Sequence, residues 1–225
     1  MPAARELLLD AAFAALRSRP WNGVRMVDVA AAAGVSRQTL YNEFGSKDGL
    51  ARALVRREAE AFLAGVERAL AAAPATTAPA AAGSAAGADA GARCAAAACW
   101  ILRTARANPL VRAALTGCRG DRLPVAAAPA PPVPRGPFAP AAPRSAPGAA
   151  ALTEAVRERT VRAVSGTAGE RVPEAVQWAC EAAVRLTLSF VVAPGASDEE
   201  AAAQVARLVR TLVGEHDAAG PRTEQ

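Results

Sequence analysis

Residues 24–50 read VRMVDVAAAAGVSRQTLYNEFGSKDGL, and the fold can be built outward from this stretch. Its first apolar residues recur at helical spacing, which predicts a short helix over residues 26–33. Gly34 follows at a position where helices commonly end on a left-handed residue, a conformation that glycine adopts freely. Ser36 then stands at the N-cap position of a second short helix, residues 37–44. Helix, glycine turn and capped helix together predict a helix-turn-helix.

The side chains of this motif fall into an inward-facing set and an outward-facing set. The residues spaced to pack inward and fix the angle between the helices are Val29, Ala30, Val35, Leu40 and Phe44. The polar residues left facing outward are Arg37, Gln38, Thr39, Tyr41 and Asn42. Arginine, glutamine and asparagine make bidentate contacts with base edges, whereas hydroxyl groups suit phosphates. A merely solvated face is the plainer interpretation, but it does not explain the glycine turn and the caps, so we predict a DNA-reading helix.

Two further helices are predicted in the N-terminal third. The first covers about residues 4–17, and the last begins after a second glycine, where Ser46 can cap it. Lys47 can there add its charge to the free N–H groups of the helix start, which favours a bound phosphate. We therefore assign residues 1–46 to a DNA-binding domain and residues 47–225 to a second domain.

Composition favours an all-helical protein and is compatible with a polyanionic partner. Hydrophobic residues make up 52% of the chain and aromatic residues only 4%, with alanine dominant, and alanine favours helix over sheet. The net charge of +5 is compatible with DNA. The N-terminal helix carries charges unlike a signal peptide, and no apolar run approaches the roughly 20 residues of a membrane span. We expect a cytoplasmic protein with no membrane partner.

Signatures of catalysis and metal binding are missing from the sequence. There is no GxSxG, Walker or GxGxxG motif, and His216 is the only histidine. The four cysteines, none of them in a CxxC pair, are Cys94, Cys99, Cys118 and Cys180. In a reducing cytoplasm such cysteines are usually buried small hydrophobes, although a redox pair stays possible. We predict no enzyme activity, no cofactor and no metal site.

Two segments interrupt the helical pattern. Residues 74–92 are rich in proline, glycine, serine and threonine, which predicts a loop or a frayed connection. Residues 124–149 contain nine prolines, a density that excludes a regular helix. We expect both segments to be flexible connections within the second domain.

The C-terminal third predicts two long helices with apolar stripes. The first opens at Pro173 and ends before Pro194, and the second begins at a capping box formed by Ser197 and Glu200. The stripes either form core within one chain or pair with a second copy in a four-helix dimer interface. The residues assigned to such an interface are Val176, Cys180, Val184, Leu188, Val205, Leu208 and Leu212.

Residues 8–54 closely resemble the DNA-binding domain of TetR-family regulators, because DVA, AGVS, TLY, F and SK fall at that family's spacing. The resemblance implies an all-α protein of about nine helices, with an N-terminal three-helix helix-turn-helix domain and a larger helical ligand-binding and dimerisation domain. It also implies a homodimer on double-stranded operator DNA and a small-molecule effector. By the same resemblance, Tyr41 and Lys47 contact the DNA backbone. Arg25 stands where many members carry threonine, so a hydroxyl cap is lost while a guanidinium gains reach to a phosphate.

Two sets of candidate site residues result. The candidate DNA-binding residues are Arg25, Ser36, Arg37, Gln38, Thr39, Tyr41, Asn42 and Lys47. The candidate ligand-pocket residues, which are more often ordinary core, are Trp100, Arg103, Phe138, Trp178 and Phe190. Few of the latter are charged, which suits a hydrophobic effector. We predict a repressor that binds a palindromic operator and is released by a small molecule; the alternative is a regulator switched by cysteine oxidation or by a protein partner.

Overall fold

The computed structural model describes residues 4–73, 82–117, 148–165 and 172–218, and these contain helices and turns without a strand. The helices are α1 (Ala4–Ser18), α2 (Met26–Ala32), α3 (Arg37–Phe44), α4 (Lys47–Ala72), α5 (Ala82–Ala107), α6 (Pro109–Thr116), α7 (Ala149–Ser165), α8 (Glu174–Val192) and α9 (Asp198–Ala218). A 3-10 turn, Trp21–Gly23, lies between α1 and α2. The all-α class and the expected number of about nine helices are confirmed.

Residues 4–60 belong to the first of two compact units. Large leucines fill its core: Leu8 of α1, Leu40 of α3, and Leu50 and Leu54 of α4 are each 0% exposed. Burial of one such side chain contributes roughly 1.5–3 kcal/mol to folding. The short helices α2 and α3 are therefore stabilised mainly by packing, since isolated helices of their length are marginal in water.

Of the described residues, the second unit contains 61–73, 82–116, 149–165 and 172–218, and α5 and α9 form its most extensive helix contact. Small residues allow these helices to lie close together. A Cβ atom on Gly91 would lie 2.9 Å from Cγ of Arg210 and 3.0 Å from the carbonyl oxygen of Ala206. Glycine at this position therefore permits the close approach of α5 to the backbone of α9.

The predicted loop over residues 74–92 is wrong for its second half, because α5 begins at Ala82. Alanine has the highest helix propensity, and packing against α9 offsets the helix cost of the glycines, about 1 kcal/mol each. Residues 74–81 lie outside the described residues, as do residues 124–147 of the proline-rich segment. Ala149, at the end of that segment, is the first residue of α7.

Helix α8 packs into the core of the second unit. Its buried residues are Ala179, Cys180, Ala183, Val184, Thr187 and Val191. Among the described helices, α8 alone is long and apolar enough to cross a membrane, judged by length and composition. About 33% of this apolar segment is buried, and α8 contacts α5, α7 and α9.

The residues predicted for a dimer interface divide into two groups. Cys180, Val184 and Val205 are 0%, 5% and 0% exposed, so they form core within the chain. The residues that keep partial exposure are Val176, Leu188, Leu208 and Leu212. The most exposed large apolar side chains of α8 are Trp178, at 66%, and Val192, at 64%. Only the exposed and partly exposed residues are free to meet a second copy.

Candidate nucleic-acid interface

The turn between α2 and α3 is closed by backbone hydrogen bonds. The N–H of Gly34 donates to the carbonyl of Ala31, and the N–H of Val35 donates to the carbonyl of Ala30, both at 3.1 Å. This pair of bonds is the Schellman helix ending, which places a left-handed residue just past the helix. Gly34 occupies that position with a φ of 67°. The predicted role of this glycine is confirmed.

Ser36 caps α3 with its side chain. Its Oγ accepts a hydrogen bond from the backbone N–H of Thr39 at 3.0 Å and lies 2.9 Å from Oγ1 of the same residue. The bond satisfies one of the N–H groups that have no partner at the start of a helix. Ser36 therefore fixes the first turn of α3, and a direct contact of its hydroxyl with DNA stays a prediction.

The polar face of α3 is open to solvent while its opposite face is buried. Leu40 is 0% exposed, whereas Tyr41 is 48% exposed. The other outward residues that are exposed are Arg37, Gln38 and Asn42. Within the described part of the chain, the Arg37 side chain makes no hydrogen bond or ion pair, so its guanidinium is available to an external partner.

Gln38 and Asn42 are joined across one turn of this face. Nε2 of Gln38 donates to Oδ1 of Asn42 at 2.8 Å. Side chains four residues apart lie above one another on a helix, so the bond is local to α3. The two amides that were predicted to read bases are therefore coupled to each other before any DNA is bound.

A second left-handed glycine ends α3. Gly45 has a φ of 70°, and its N–H donates to the carbonyl of Tyr41 at 2.8 Å. Ser46 then caps α4, since its Oγ accepts from the N–H of Gly49 at 3.1 Å. A Cβ atom on Gly49 would collide with the carbonyl oxygen of Phe44. Glycine there allows α4 to begin directly against the end of α3.

Arg5 of α1 braces the C-terminal end of α3. Its Nη1 donates to the carbonyl of Glu43 at 3.4 Å and lies 3.3 Å from Oε2 of that residue, and its guanidinium carbon lies 4.7 Å from the ring centroid of Phe44. Carbonyl groups in the last turn of a helix have no partner within the helix, and Arg5 satisfies one of them. Its positive charge also offsets the negative charge of the Glu43 carboxylate on α3. This role of Arg5 is not visible from sequence spacing, because 38 positions separate it from Glu43.

Lys47, which was assigned to a phosphate, also contacts the connection between α1 and α2. Its Nζ donates to the carbonyl of Asn22 at 3.1 Å and lies 5.5 Å from the centroid of the Trp21 ring. An ammonium group has three donors, so this bond leaves two for a phosphate. The side chain thus ties the first residue of α4 to the 3-10 turn.

Arg25 stands at the N-cap position of α2 but makes no capping hydrogen bond. Its Nε and Nη2 instead donate to the carboxylate of Asp28 at 3.0 Å and 3.1 Å, and Arg19 donates to the same carboxylate at 3.2 Å. The hydrogen bond from Arg25 is the main cause that lowers the pKa of Asp28. The Arg25 side chain is still 72% exposed, so its predicted contact with a phosphate remains sterically available.

Taken together, these elements form a rigid platform for α3. Two left-handed glycines and two serine caps set the ends of the helices, and leucine burial fixes their angle. The exposed side of α3 carries guanidinium, amide and hydroxyl groups. A helix with these groups can enter the major groove and hydrogen-bond base edges.

The residues of this platform match the sequence pattern of a known protein family. The sequence pattern of the family described as "Bacterial regulatory proteins, tetR family" matches residues 8–54. The pattern described as "Bacterial Tetracyclin repressor, C-terminal domain" matches residues 146–211, and the two together cover half of the chain. The chain belongs to the TetR family. TetR-family members are DNA-binding transcriptional regulators and not enzymes, so the predicted family, DNA-binding class and non-enzymatic function are confirmed.

One curated TetR-family relative is the HTH-type transcriptional regulator AlkX of Mycobacterium tuberculosis. It is 46% identical over 66 residues, which are 29% of this chain and 31% of the relative. The match thus spans less than a third of the relative's length.

Two solved TetR-family structures share the fold over almost the whole chain. The AlkX repressor of a Dietzia strain, implicated in biodegradation of n-alkanes, is 22% identical with a TM-score of 0.53, covering 95% of this chain and 96% of its own. A regulator from Streptomyces coelicolor is 16% identical with a TM-score of 0.55, covering 99% of this chain and 93% of its own. At these identities the likeness concerns the fold.

In this TetR regulator the candidate pocket residues occupy different environments. Trp100 is half-buried, with its Nε1 donating to the carbonyl of Phe62 at 3.4 Å and the Arg68 guanidinium carbon 5.9 Å from its ring centroid. A Cβ atom on Gly65 would collide with the indole, so that glycine makes room for it. The ring of Trp100 is therefore held by α4 and is positioned as a packed residue.

The other candidate pocket residues are more exposed or lie elsewhere. Arg103 is exposed and donates through Nε to the carbonyl of Cys99 at 3.3 Å, and Phe190 is partly buried. Phe138 lies outside the described residues. Trp178 lines a surface depression of about 340 Å³ together with Arg157, Glu174, Gln177 and Glu181. A shared pocket for these residues stays a prediction.

Proposed function

We propose that the protein is a transcriptional repressor in the cytoplasm that binds a palindromic operator as a homodimer and is released by a small hydrophobic effector. The observation that carries the DNA-binding part is the exposed polar face of α3, whose Arg37 has no partner within the described residues. In a symmetric dimer, two such helices reach half-sites about one DNA turn, roughly 34–36 Å, or a multiple of it apart.

The operator proposal is tested by selecting bound sequences from a random duplex pool at a fixed salt concentration. We expect a near-palindrome for the wild type, a relaxed sequence preference for Arg37→Ala, and weaker binding to all duplexes for Tyr41→Ala, whose predicted contact is with the DNA backbone. Arg162→Ala is the matched control, because it removes an exposed arginine of α7 in the second unit. Salt-sensitive binding without an enriched sequence would contradict the proposal, since phosphate contacts alone carry no sequence information.

For the dimer we propose a surface on α8 and α9 that differs from the one predicted. The exposed side of α8 carries Trp178 and Val192, while Leu188 and Leu208 keep partial exposure. Large exposed apolar patches commonly mark protein interfaces, so we propose that Trp178 and Val192 belong to one. Trp178→Glu should give a monomer by light scattering and weaken operator binding, whereas Trp178→Phe should keep the dimer. A Trp178→Glu dimer as stable as the wild type would contradict this surface.

The effector is proposed from the character of the second unit. Its core is built from alanine, valine, leucine and cysteine, so a cavity opened within it would be apolar. Release by an effector requires differential affinity between the DNA-bound and free states. Titration of the operator complex with alkyl and aromatic compounds should release DNA for some of them, and a reporter behind the operator should rise in expression when the protein is deleted. A fall in expression on deletion would indicate an activator.

A redox-switched regulator is the second candidate, favoured by one contact. A hydrogen bond between the thiols of Cys94 and Cys180 raises the pKa of Cys94 well above its ordinary value and lowers that of Cys180. Hydrogen peroxide would accept two electrons and two protons from the pair, giving a disulfide and two waters. Burial of both thiols opposes this reaction. Peroxide should therefore leave operator affinity unchanged; a loss that Cys180→Ala abolishes would instead establish the switch.

A further inference from the structure

We propose that Asn42 is a positioning residue that holds the Gln38 amide in the orientation that reads adenine. The inference rests on the proposed function, since it requires α3 to lie in the major groove of an operator. It goes beyond that function because it assigns different roles to two side chains of the reading face and names the base that one of them selects.

In the absence of DNA, one N–H of the Gln38 side-chain amide is already hydrogen-bonded to Asn42. Nε2 of Gln38 lies 2.8 Å from Oδ1 of Asn42, and the bond is made from donor to acceptor in that direction. A glutamine amide has two N–H donors and one carbonyl acceptor. With one proton held by Asn42, Gln38 presents one free N–H beside its free carbonyl oxygen. Both side chains are exposed, so the free groups are open to a ligand.

The pattern left free on Gln38 matches one base. In the major groove adenine offers the acceptor N7 beside the donor N6, so it pairs with one donor and one acceptor. Guanine offers two acceptors, N7 and O6, and needs two donors. A free glutamine amide can turn its NH2 group toward guanine. The committed amide instead brings its carbonyl oxygen against O6, where two acceptors repel each other.

The platform beneath α3 supports this division of roles. The Ser36 cap fixes the first turn of the helix, which contains Gln38, and Leu40 anchors the helix to the core. Backbone motion is therefore a small source of variation at Gln38, and the side-chain amide is the remaining degree of freedom. Asn42, one turn later, removes that freedom through its carbonyl oxygen.

The test is a selection from a pool of random duplexes, carried out separately with the wild type and with Asn42→Ala, Asn42→Asp, Gln38→Ala and the Gln38→Ala/Asn42→Ala double variant. Competition between the enriched duplex and its A·T-to-G·C variant then measures the preference at each position. Gln38→Ala removes the reading amide and should reduce the preference for adenine at one position by about 5- to 150-fold, the range for a good bidentate contact. Asn42→Ala should reduce the preference at the same position by a smaller factor, because Gln38 is still present but can turn toward guanine. The double variant should lose no more than Gln38→Ala.

Asn42→Asp is the conservative variant that separates positioning from helix stability. Its carboxylate still accepts from Gln38, so the adenine preference should be retained, while its negative charge weakens binding to all duplexes alike. A change at a second base pair in Asn42→Ala would show that Asn42 reads a base itself and would overturn the proposal. A lower melting temperature with an unchanged preference would reduce the bond to a helix contact and also overturn it. If the wild type enriches no sequence, the proposed function fails instead.

Discussion

In the helix-turn-helix, large leucines fill the space between short helices that end in defined turns. In the contact between α5 and α9, alanine, glycine, cysteine and valine line long helices that lie close together. The first region depends on side-chain volume and on backbone geometry at two glycines. The second depends on small side chains, which allow α5 and α9 to lie close together. The two regions should therefore respond in opposite ways to substitutions that remove or add atoms.

Leu40→Ala should have the largest effect. It removes a fully buried side chain from α3, and a cavity of this kind lowers the free energy of unfolding by about 2–5 kcal/mol. Urea denaturation followed by circular dichroism measures the loss, and operator binding should be abolished with it. Gln38→Ala on the exposed side of the same helix is the control and should change stability by less than about 0.5 kcal/mol. Equal effects of the two substitutions would show that α3 is not anchored by Leu40.

Gly91→Leu tests the contact between α5 and α9, which depends on small side chains. Added atoms must displace Arg210 or the backbone of α9, so we expect a loss of about 1–3 kcal/mol in the same denaturation experiment. Gly214→Leu is matched to it, because Gly214 is also helical and has nothing within 4 Å of its Cβ position. That control should be neutral or slightly stabilising, since leucine is the better helix former. A neutral Gly91→Leu would mean that α5 and α9 pack less closely than described.

Gly34→Val tests backbone geometry rather than volume. There is open space at this position, but its φ of 67° costs a residue with a Cβ about 1–2 kcal/mol, and a β-branched one most of all. Operator affinity should fall more steeply than overall stability, because the turn sets the angle of α3. Gly34→Asn should be milder, since asparagine enters the left-handed region more readily. If valine and asparagine behaved alike, strain at the turn would not be the cause.

The smallest expected effect is the contribution of Asp28 to the pH dependence of stability. Because the hydrogen bond from Arg25 lowers its pKa in the folded state, Asp28 stabilises the fold above the ordinary aspartate pKa of about 3.9. This contribution is lost as the pH falls through the lowered folded value. Melting temperature should therefore decline more in the wild type than in Asp28→Asn as the pH falls from about 5 through the ordinary aspartate pKa of about 3.9 and below it. Arg25→Ala, which removes the main donor to that carboxylate, should flatten the profile in the same direction, and an unchanged profile would show that the Arg25 contact is not the cause.

Sequence reasoning succeeded where the determinants are local. Gly34, Ser36, Gly45 and Ser46 each act on backbone groups within five residues, so their types and spacing predict the turn and the caps directly. The outward face of α3 follows from helical periodicity in the same way. Local patterns thus predicted the turn, the two serine caps and the exposed face of α3.

Prediction from the sequence was wrong or incomplete where residues far apart in the chain determine the local structure. The glycines near the start of α5 indicated a loop until their contact with α9 showed why a helix is stable there. Val205 fits a dimer stripe by periodicity, but α5 covers it within the chain. Arg5 gains its role only when α1 and α3 are brought together. None of these partners is visible from spacing along the chain.

Lys47 has a practical consequence for studying the molecule. It is the only lysine in the sequence, and its ammonium group sits on the 3-10 turn beside the reading platform. Reductive methylation with isotope-enriched formaldehyde would therefore add one side-chain NMR probe, apart from the terminal amine, at the edge of the DNA-binding surface. Its chemical shift would record whether Lys47 leaves the Asn22 carbonyl when a duplex arrives. Because arginine supplies all the other basic side chains, this single lysine would test spectroscopically whether DNA contacts the start of α4.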